Sequence, residues 1–135
     1  MFVEPSSSLP FFLVNRAIGK AVTLDSMINE TSHITFEPLS YSDNQKLVYI
    51  PEKKGLIKSF SCDKVLTAES SNEGSEVIFK NPSGDTNQFW HLNGEEIYLD
   101  SNAKVMTINV LEDKVKVVIK DQNNTDFQAF DIIYS

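Results

Sequence analysis

The sequence is poor in the residue types from which disulfide frameworks and metal centres are built. Its 135 residues include one cysteine, Cys62, and two histidines, His33 and His91. A single cysteine cannot form a disulfide within the chain, so the fold has to rest on its hydrophobic core. The two histidines do not stand at a spacing typical of metal ligands. We therefore expect neither a metal site nor any other cofactor.

Positive charge and long apolar runs are scarce as well. The chain has 12 Lys and Arg against 19 Asp and Glu and a net charge of −7. This balance argues against a nucleic-acid partner, because phosphate groups are bound by clustered basic residues. No run approaches the roughly eighteen apolar residues that a membrane span needs. Residues 1–16 lack the basic start and long apolar run of a secretory signal. We expect a soluble, cytoplasmic protein, and unconventional export stays open.

Patterns that carry catalysis are also missing from the sequence. Cys62 stands between Ser61 and Asp63 in a predicted turn with no histidine nearby, so a free structural thiol fits it better than a nucleophile. There is no glycine-rich phosphate loop. The acidic pairs at 95–96 and 112–113 fall in predicted hairpin turns, where solvated charges explain them. The sequence therefore predicts a protein that is not an enzyme.

What the sequence does contain is an internal repeat. Residues 20–25, 64–69 and 104–109 share one pattern: Lys, two apolar residues, Thr, one apolar residue, then an acidic or amide residue. A glutamine follows the Lys of each copy after 25, 24 and 24 residues, as Gln45, Gln88 and Gln128. Between these two marks lies an alternating run whose last residue precedes the Gln by nine in every copy. Three marks in one register indicate a repeated structural unit of about forty residues.

The repeated segments behave as β-strands. They are short, alternate at period two and are separated by turn-forming runs such as 70–74 and 81–85. We predict four strands per copy, beginning near residues 11, 21, 33 and 46 in the first. Three such units are too few for an ordinary propeller, whereas a closed threefold barrel would leave no sheet edges. The prediction is one all-β domain over residues 1–135, with repeats at about 11–53, 54–93 and 94–135.

The spacing of the three glutamines resembles the Q-x-W repeat of the ricin B-type lectins. Only Gln88-Phe89-Trp90 holds the full motif, because Leu47 and Phe130 stand at the Trp position of the other two copies. The resemblance extends from about residue 11 to residue 134. It implies a β-trefoil, in which a six-stranded barrel is capped at one end by three hairpins. For the motif itself we favour a structural role, with the apolar residue in the core and the Gln bonded to neighbouring backbone.

The resemblance also implies where a sugar would bind. Sugar pockets of that family combine an acidic residue near the second strand, an aromatic ring under the sugar and an Asn just before the motif Gln. The third repeat has Ile119 and Phe127 at the ring and amide positions, and we expect it to be inactive. The ring and amide positions of the first two repeats are occupied by Phe36 and Asn44, and by Phe79 and Asn87.

The acidic position departs from the family. Thr23, Thr67 and Thr107 stand where the family usually has Asp, while Asp25 and Glu69 lie two residues later on the same strand face and are the candidate substitutes. A competing interpretation makes the Thr row, Asp25 and Glu69 ordinary solvated residues. It likewise assigns the Phe of each alternating run to the core.

Two functions follow from this pattern. The first is a carbohydrate-binding, lectin-like module with shallow sites in the first and second repeats and with glycans or glycoproteins as partners. The second is a protein-binding β-trefoil, either a protease inhibitor or a cytoskeletal or regulatory interaction module, that has lost sugar binding and contacts its partner through loops. A lectin predicts Phe36 or Phe79 exposed beside Asn44 or Asn87, whereas a protein-binding module predicts both rings buried.

Overall fold

The computed structural model describes residues 9–25 and 31–134. These residues form thirteen β-strands and three short 3-10 helices. The strands are β1 (Phe11–Asn15), β2 (Ala21–Leu24), β3 (Thr31–Ser32), β4 (Ile34–Glu37), β5 (Leu47–Ile50), β6 (Leu56–Ser59), β7 (Val65–Ala68), β8 (Val77–Lys80), β9 (Trp90–Asn93), β10 (Glu96–Leu99), β11 (Val105–Leu111), β12 (Lys114–Lys120) and β13 (Phe130–Tyr134). The helices are η1 (Pro51–Lys53), η2 (Thr86–Gln88) and η3 (Asp126–Gln128).

Six of the strands form a closed barrel. Strand β1 pairs with β5 and with β13, β5 pairs with β6, and β9 pairs with β10, all antiparallel. The two remaining junctions are made by single backbone bonds, in which the amide of Trp90 donates to the carbonyl of Gly55 and the amide of Phe130 donates to that of Glu95, both at 2.9 Å. Closure leaves the barrel strands without a free edge for pairing with other chains.

Three hairpins complete the fold, one in each repeat. They are β2–β4, β7–β8 and β11–β12, and the last is the longest, with seven residues in each strand. The two-residue strand β3 is an addition of the first repeat and pairs with β8 of the second. The predicted strand starts near 11, 21, 33 and 46 compare with observed starts at 11, 21, 34 and 47. The prediction of an all-β trefoil is confirmed.

The residue two positions after each motif Gln fills the shared core, as predicted. Leu47, Trp90 and Phe130 are all fully or almost fully buried in one hydrophobic cluster. Trp90 also satisfies its indole N–H, which donates to the carbonyl of Leu66 at 2.9 Å. The core therefore ties the barrel to the hairpin of the second repeat. Within the described residues, no helix is long and apolar enough to cross a membrane.

Candidate functional site

Each motif Gln is buried, and its side chain forms hydrogen bonds with the loop that precedes it. The side-chain amide of Gln88 donates to the hydroxyl oxygen of Thr67 at 3.2 Å and to the carbonyl of Asn81 at 3.0 Å, while its carbonyl oxygen accepts from the amide of Ser83 at 2.9 Å. The same three kinds of bond recur around Gln45 and around Gln128. The predicted structural role of the Gln is confirmed, and it extends to fixing loop conformation.

The Thr row is part of this same network. Thr23, Thr67 and Thr107 are only 3%, 5% and 4% exposed, so the interpretation of these residues as solvated is wrong. Each hydroxyl donates to the carbonyl two residues earlier at 3.0 Å and accepts the amide of its Gln. The hydroxyl proton of each Thr is already donated to the backbone, and its oxygen already accepts from the Gln. The Thr therefore supports the loop and does not replace the acidic residue that the family usually has at this position. The nearly constant Thr-to-Gln separation of 22, 21 and 21 residues is the signal for this pairing in the sequence.

In the second repeat a polar depression lies above the Thr67–Gln88 pair. Its cavity volume is about 250 Å³. The carboxylate of Glu69 and the ammonium of Lys80 both line it and form an ion pair at 3.5 Å. The structure thus brings Glu69 and Asn87, two of the predicted site residues, to one depression. Within the described part of the chain, its lining consists of Thr31, Thr67, Ala68, Glu69, Lys80, Asn81, Ser83, Asp85, Asn87 and Gln88.

Phe79 does not contribute a ring to this depression. It is 1% exposed, belongs to the hydrophobic core and lies opposite Leu66 in the β7–β8 hairpin. Successive side chains of a strand point to opposite faces, so Lys80, the next residue, reaches the depression instead. The predicted role of Phe79 as a platform under a sugar is therefore wrong, and Lys80 is a site residue that the sequence interpretation missed.

The first repeat has a corresponding depression with a different lining. It measures about 390 Å³ and includes Asn44, whose side-chain carbonyl accepts a hydrogen bond from the hydroxyl of Ser42 at 2.6 Å. By the same alternation as in the second repeat, Glu37 rather than Phe36 lines it, which makes Glu37 a second missed residue. The lining consists of Thr23, Glu37, Pro38, Ser40, Ser42, Asn44 and Gln45.

The other two residues predicted for the first repeat lie elsewhere. Phe36 is half-buried against the core and lines a separate depression of about 560 Å³, together with Ile18 and Val115. The predicted placement of Phe36 under a sugar beside Asn44 is therefore wrong. Asp25 is exposed and does not line the depression that holds Asn44.

The third repeat carries an ion-pair cluster at its loop. The ammonium of Lys104 lies 2.8 Å from a carboxylate oxygen of Asp121 and 3.4 Å from one of Glu73. The hydrogen bond from Lys104 holds the pKa of Asp121 below its ordinary value, and the same bond raises the pKa of Lys104. Ile119 is fully buried in the core and Phe127 is exposed.

The described residues contain no group of three or more His, Cys, Asp and Glu side chains that could hold a metal ion. Both histidines are engaged with carboxylates instead. His91 Nε2 lies 2.6 Å from Asp100, and His33 Nδ1 lies 3.2 Å from Glu76. The second-repeat depression offers hydrogen bonding and charge, from two carboxylates (Glu69 and Asp85), one ammonium and several amides and hydroxyls.

Several solved structures share this architecture. The designed threefold-symmetric protein ThreeFoil matches at 21% identity with a TM-score of 0.81, covering 92% of this chain and 97% of its own. The ricin B-like lectin of Macrolepiota procera, solved with lactose, matches at 16% identity and a TM-score of 0.81, covering 98% of this chain and all of its own. The C-terminal half of an earthworm R-type lectin, solved with GalNAc, matches at 18% identity and a TM-score of 0.75, covering 94% and 99%.

These TM-scores establish a common fold, and at identities of 16–21% the fold is all that they show. A search among curated proteins finds no match. The sequence model of the ricin-type beta-trefoil lectin domain, however, matches residues 11–130, which is most of the chain. With its three Gln-centred repeats and its closed barrel, this chain belongs to the ricin-type beta-trefoil lectin domain family.

Proposed function

We propose that the chain is a non-enzymatic carbohydrate-binding module whose principal sugar site is the depression of the second repeat. The observation that carries the proposal is the joint placement of Glu69 and Asn87 above the Thr67–Gln88 pair. Membership of the lectin domain family supports it. The lactose and GalNAc in the structures of the Macrolepiota and earthworm lectins make galactose-type sugars the first class to examine.

The lining explains how a sugar would be held. The Glu69 carboxylate accepts hydrogen bonds from sugar hydroxyls, the Asn87 amide both donates and accepts, and Lys80 donates. None of the ten described residues that line the depression is aromatic, so the proposed binding rests on their polar groups rather than on a ring packed against the apolar face of the sugar. We therefore expect weak binding by a single site, strengthened when several glycans are presented together.

The first-repeat depression is proposed as a second, weaker site. It has Asn44 at the position equivalent to Asn87, and Glu37 supplies a carboxylate to the same depression. The Asn44 side chain already accepts a bond from Ser42 Oγ, which leaves it fewer free acceptor positions for a ligand. At most two glycans would then be bound by one chain.

A glycan array followed by titration on the best immobilised glycan tests the proposal. Asn87→Ala and Glu69→Gln are each expected to weaken binding about tenfold or more, because a lost hydrogen bond to a charged or desolvated group is worth roughly 1.5–3 kcal/mol. Asn72→Ala is the matched control, since Asn72 is an exposed Asn of the same repeat that lies outside the depression. Unchanged binding by both Asn87→Ala and Glu69→Gln would refute the site.

The burial of Phe79 favours the second candidate, a protein-binding module without sugar recognition. That candidate predicts that the wild-type chain binds no glycan on the array. It also predicts that enzymatic deglycosylation of a captured partner leaves the interaction intact. Loss of capture after deglycosylation would exclude this candidate and support the carbohydrate-binding module.

A further inference from the structure

A second concave site lies beside the loop that precedes Gln88. This groove has a cavity volume of about 380 Å³ and is lined by Lys53, Lys54, Leu56, Pro82, Gly84 and Phe89. Residues 81, 83, 85 and 87 of the loop line the polar depression, whereas Pro82 and Gly84 line the groove. The two sites therefore have different walls and opposite chemical character.

The groove joins an apolar surface to two positive charges. Phe89, Pro82 and Leu56 form the apolar part, and the ammonium of Lys54 lies 5.6 Å from the centre of the Phe89 ring. Lys53 and Lys54 are exposed, and neither forms an ion pair within the part of the chain that the structure describes. Lys53 and Lys54 are also the only two neighbouring lysines in the sequence, and the net charge of the whole chain is −7.

The backbone holds the Lys54 end of the groove in a fixed position. Lys54 has a positive φ of 64°, and its amide donates to the carbonyl of Pro51 at 3.1 Å. Gly55 follows with a φ of +94° and contacts the barrel so closely that a Cβ would lie 2.3 Å from the carbonyl oxygen of Trp90. A tight turn of this kind, clamped against the core, orders the lysine backbone before any ligand arrives, which lowers the entropic cost of binding.

We propose that this groove binds a small apolar carboxylic acid, with its hydrocarbon part against Phe89 and Pro82 and its carboxylate beside Lys53 and Lys54. A cavity of this size lies within the range of small-molecule sites, which combine mainly apolar walls with a few charged groups. Its six lining residues are far fewer than the roughly 20–30 residues that each side of a stable protein interface contributes. Among the residues that the structure describes, the charged side chains that line the groove are both lysines, so an anionic ligand complements it. This inference does not depend on sugar binding.

Titration of the ¹⁵N-labelled full chain with 4-phenylbutyrate, followed by NMR, tests the proposal. The matched neutral probe is 4-phenylbutyramide, which keeps the ring and chain and removes the charge. We expect 4-phenylbutyrate to cause saturable shifts of the backbone N–H signals of Lys54, Gly84 and Phe89. We expect 4-phenylbutyramide to bind more weakly. The Lys53→Gln/Lys54→Gln variant should bind the acid about two- to twenty-fivefold more weakly, since each exposed charge pair contributes roughly 1.4- to fivefold.

The control variant is Lys114→Gln, which removes an exposed lysine at the start of β12 and should bind the acid like the wild type. Raising the salt concentration should weaken binding of the acid and leave that of the amide unchanged. No saturable shift at the groove up to the solubility limit of the acid would overturn the proposal. Equal affinity for acid and amide, or undiminished binding by the double lysine variant, would also overturn it.

Discussion

The Thr67–Gln88 hydrogen bond can be tested by a double-mutant cycle. Thr67→Val replaces the hydroxyl by a methyl group of similar size, and Gln88→Met keeps most of the side-chain volume while removing all polar atoms. In the wild type the two side chains meet at 3.2 Å, and both are almost completely buried. Neither substitution leaves a large cavity, so the change in the free energy of unfolding reports mainly on hydrogen bonds.

The structure sets the size of each effect. Thr67→Val removes two bonds, the one accepted from Gln88 and the one donated to the Val65 carbonyl, and leaves Gln88 its bond to the Asn81 carbonyl. We therefore expect a loss of about 1–3 kcal/mol. Gln88→Met removes three bonds and leaves the Ser83 amide without its acceptor, which costs about 2–4 kcal/mol. The double variant should lose about 0.5–1.5 kcal/mol less than the sum of the single variants, because both singles remove the same bond.

Urea unfolding followed by the fluorescence of Trp90, the only tryptophan, gives the four free energies of unfolding that the cycle needs. Thr107→Val combined with Gln88→Met is the control, because Thr107 bonds to Gln128 in the third repeat and shares no partner with Gln88. We expect that control pair to be additive within about 0.5 kcal/mol. A Thr67–Gln88 coupling no larger than that of the control would refute the network described above.

Two further predictions concern the barrel and the surface. Gly55→Ala should destabilise the chain by about 1–3 kcal/mol more than Gly74→Ala, measured by urea unfolding, because the new methyl meets Trp90 at Gly55 and open space at Gly74, while both positions have positive φ; equal losses would contradict this reasoning. Lys104 lowers the pKa of Asp121 from 3.8, so its stabilising effect is present above that pH and is lost as the pH falls through the folded-state pKa. The difference in Tm between wild type and Asp121→Asn should therefore shrink below about pH 4, and a difference that stays constant would count against it.

The fold was predictable because the sequence features that specify it recur in all three repeats. The three Gln residues, with Leu47, Trp90 and Phe130 two positions later, occupy equivalent core positions, so one pattern specified three parts of the barrel. Strand starts followed from period-two alternation bounded by turn residues. The extra strand β3 was not predictable, because its pairing with β8 depends on how two different repeats meet.

The candidate site was predicted only in part, and strand alternation explains the errors. Asn87 and Glu69 do share a depression, but Phe36 and Phe79, which the resemblance implies as rings under a sugar, do not line the depressions that hold Asn44 and Asn87. The same alternating runs that identified the strands place Phe79 on the core face and its neighbour Lys80 on the pocket face. A strict application of the alternation would have selected Glu37 and Lys80.

The groove at Phe89 could not have been found from the sequence. Lys53 and Lys54 lie between β5 and β6, and Phe89 lies thirty-five residues beyond Lys54. They meet because the barrel brings β6 beside β9, through the bond from the Trp90 amide to the Gly55 carbonyl. A contact of this kind depends on tertiary pairing, for which local sequence patterns carry no signal.

Mapping a bound sugar onto the chain tests the proposed function most directly. The ¹⁵N-labelled protein would be titrated with GalNAc and with lactose, and amide shifts would be followed by NMR for the wild type and for Asn87→Ala. Sugar binding in the second repeat predicts saturable shifts at Glu69, Ser83 and Asn87 that the variant loses, with smaller shifts at Asn44. Shifts confined to other surfaces, or none with any glycan that the array identifies, would contradict the proposal.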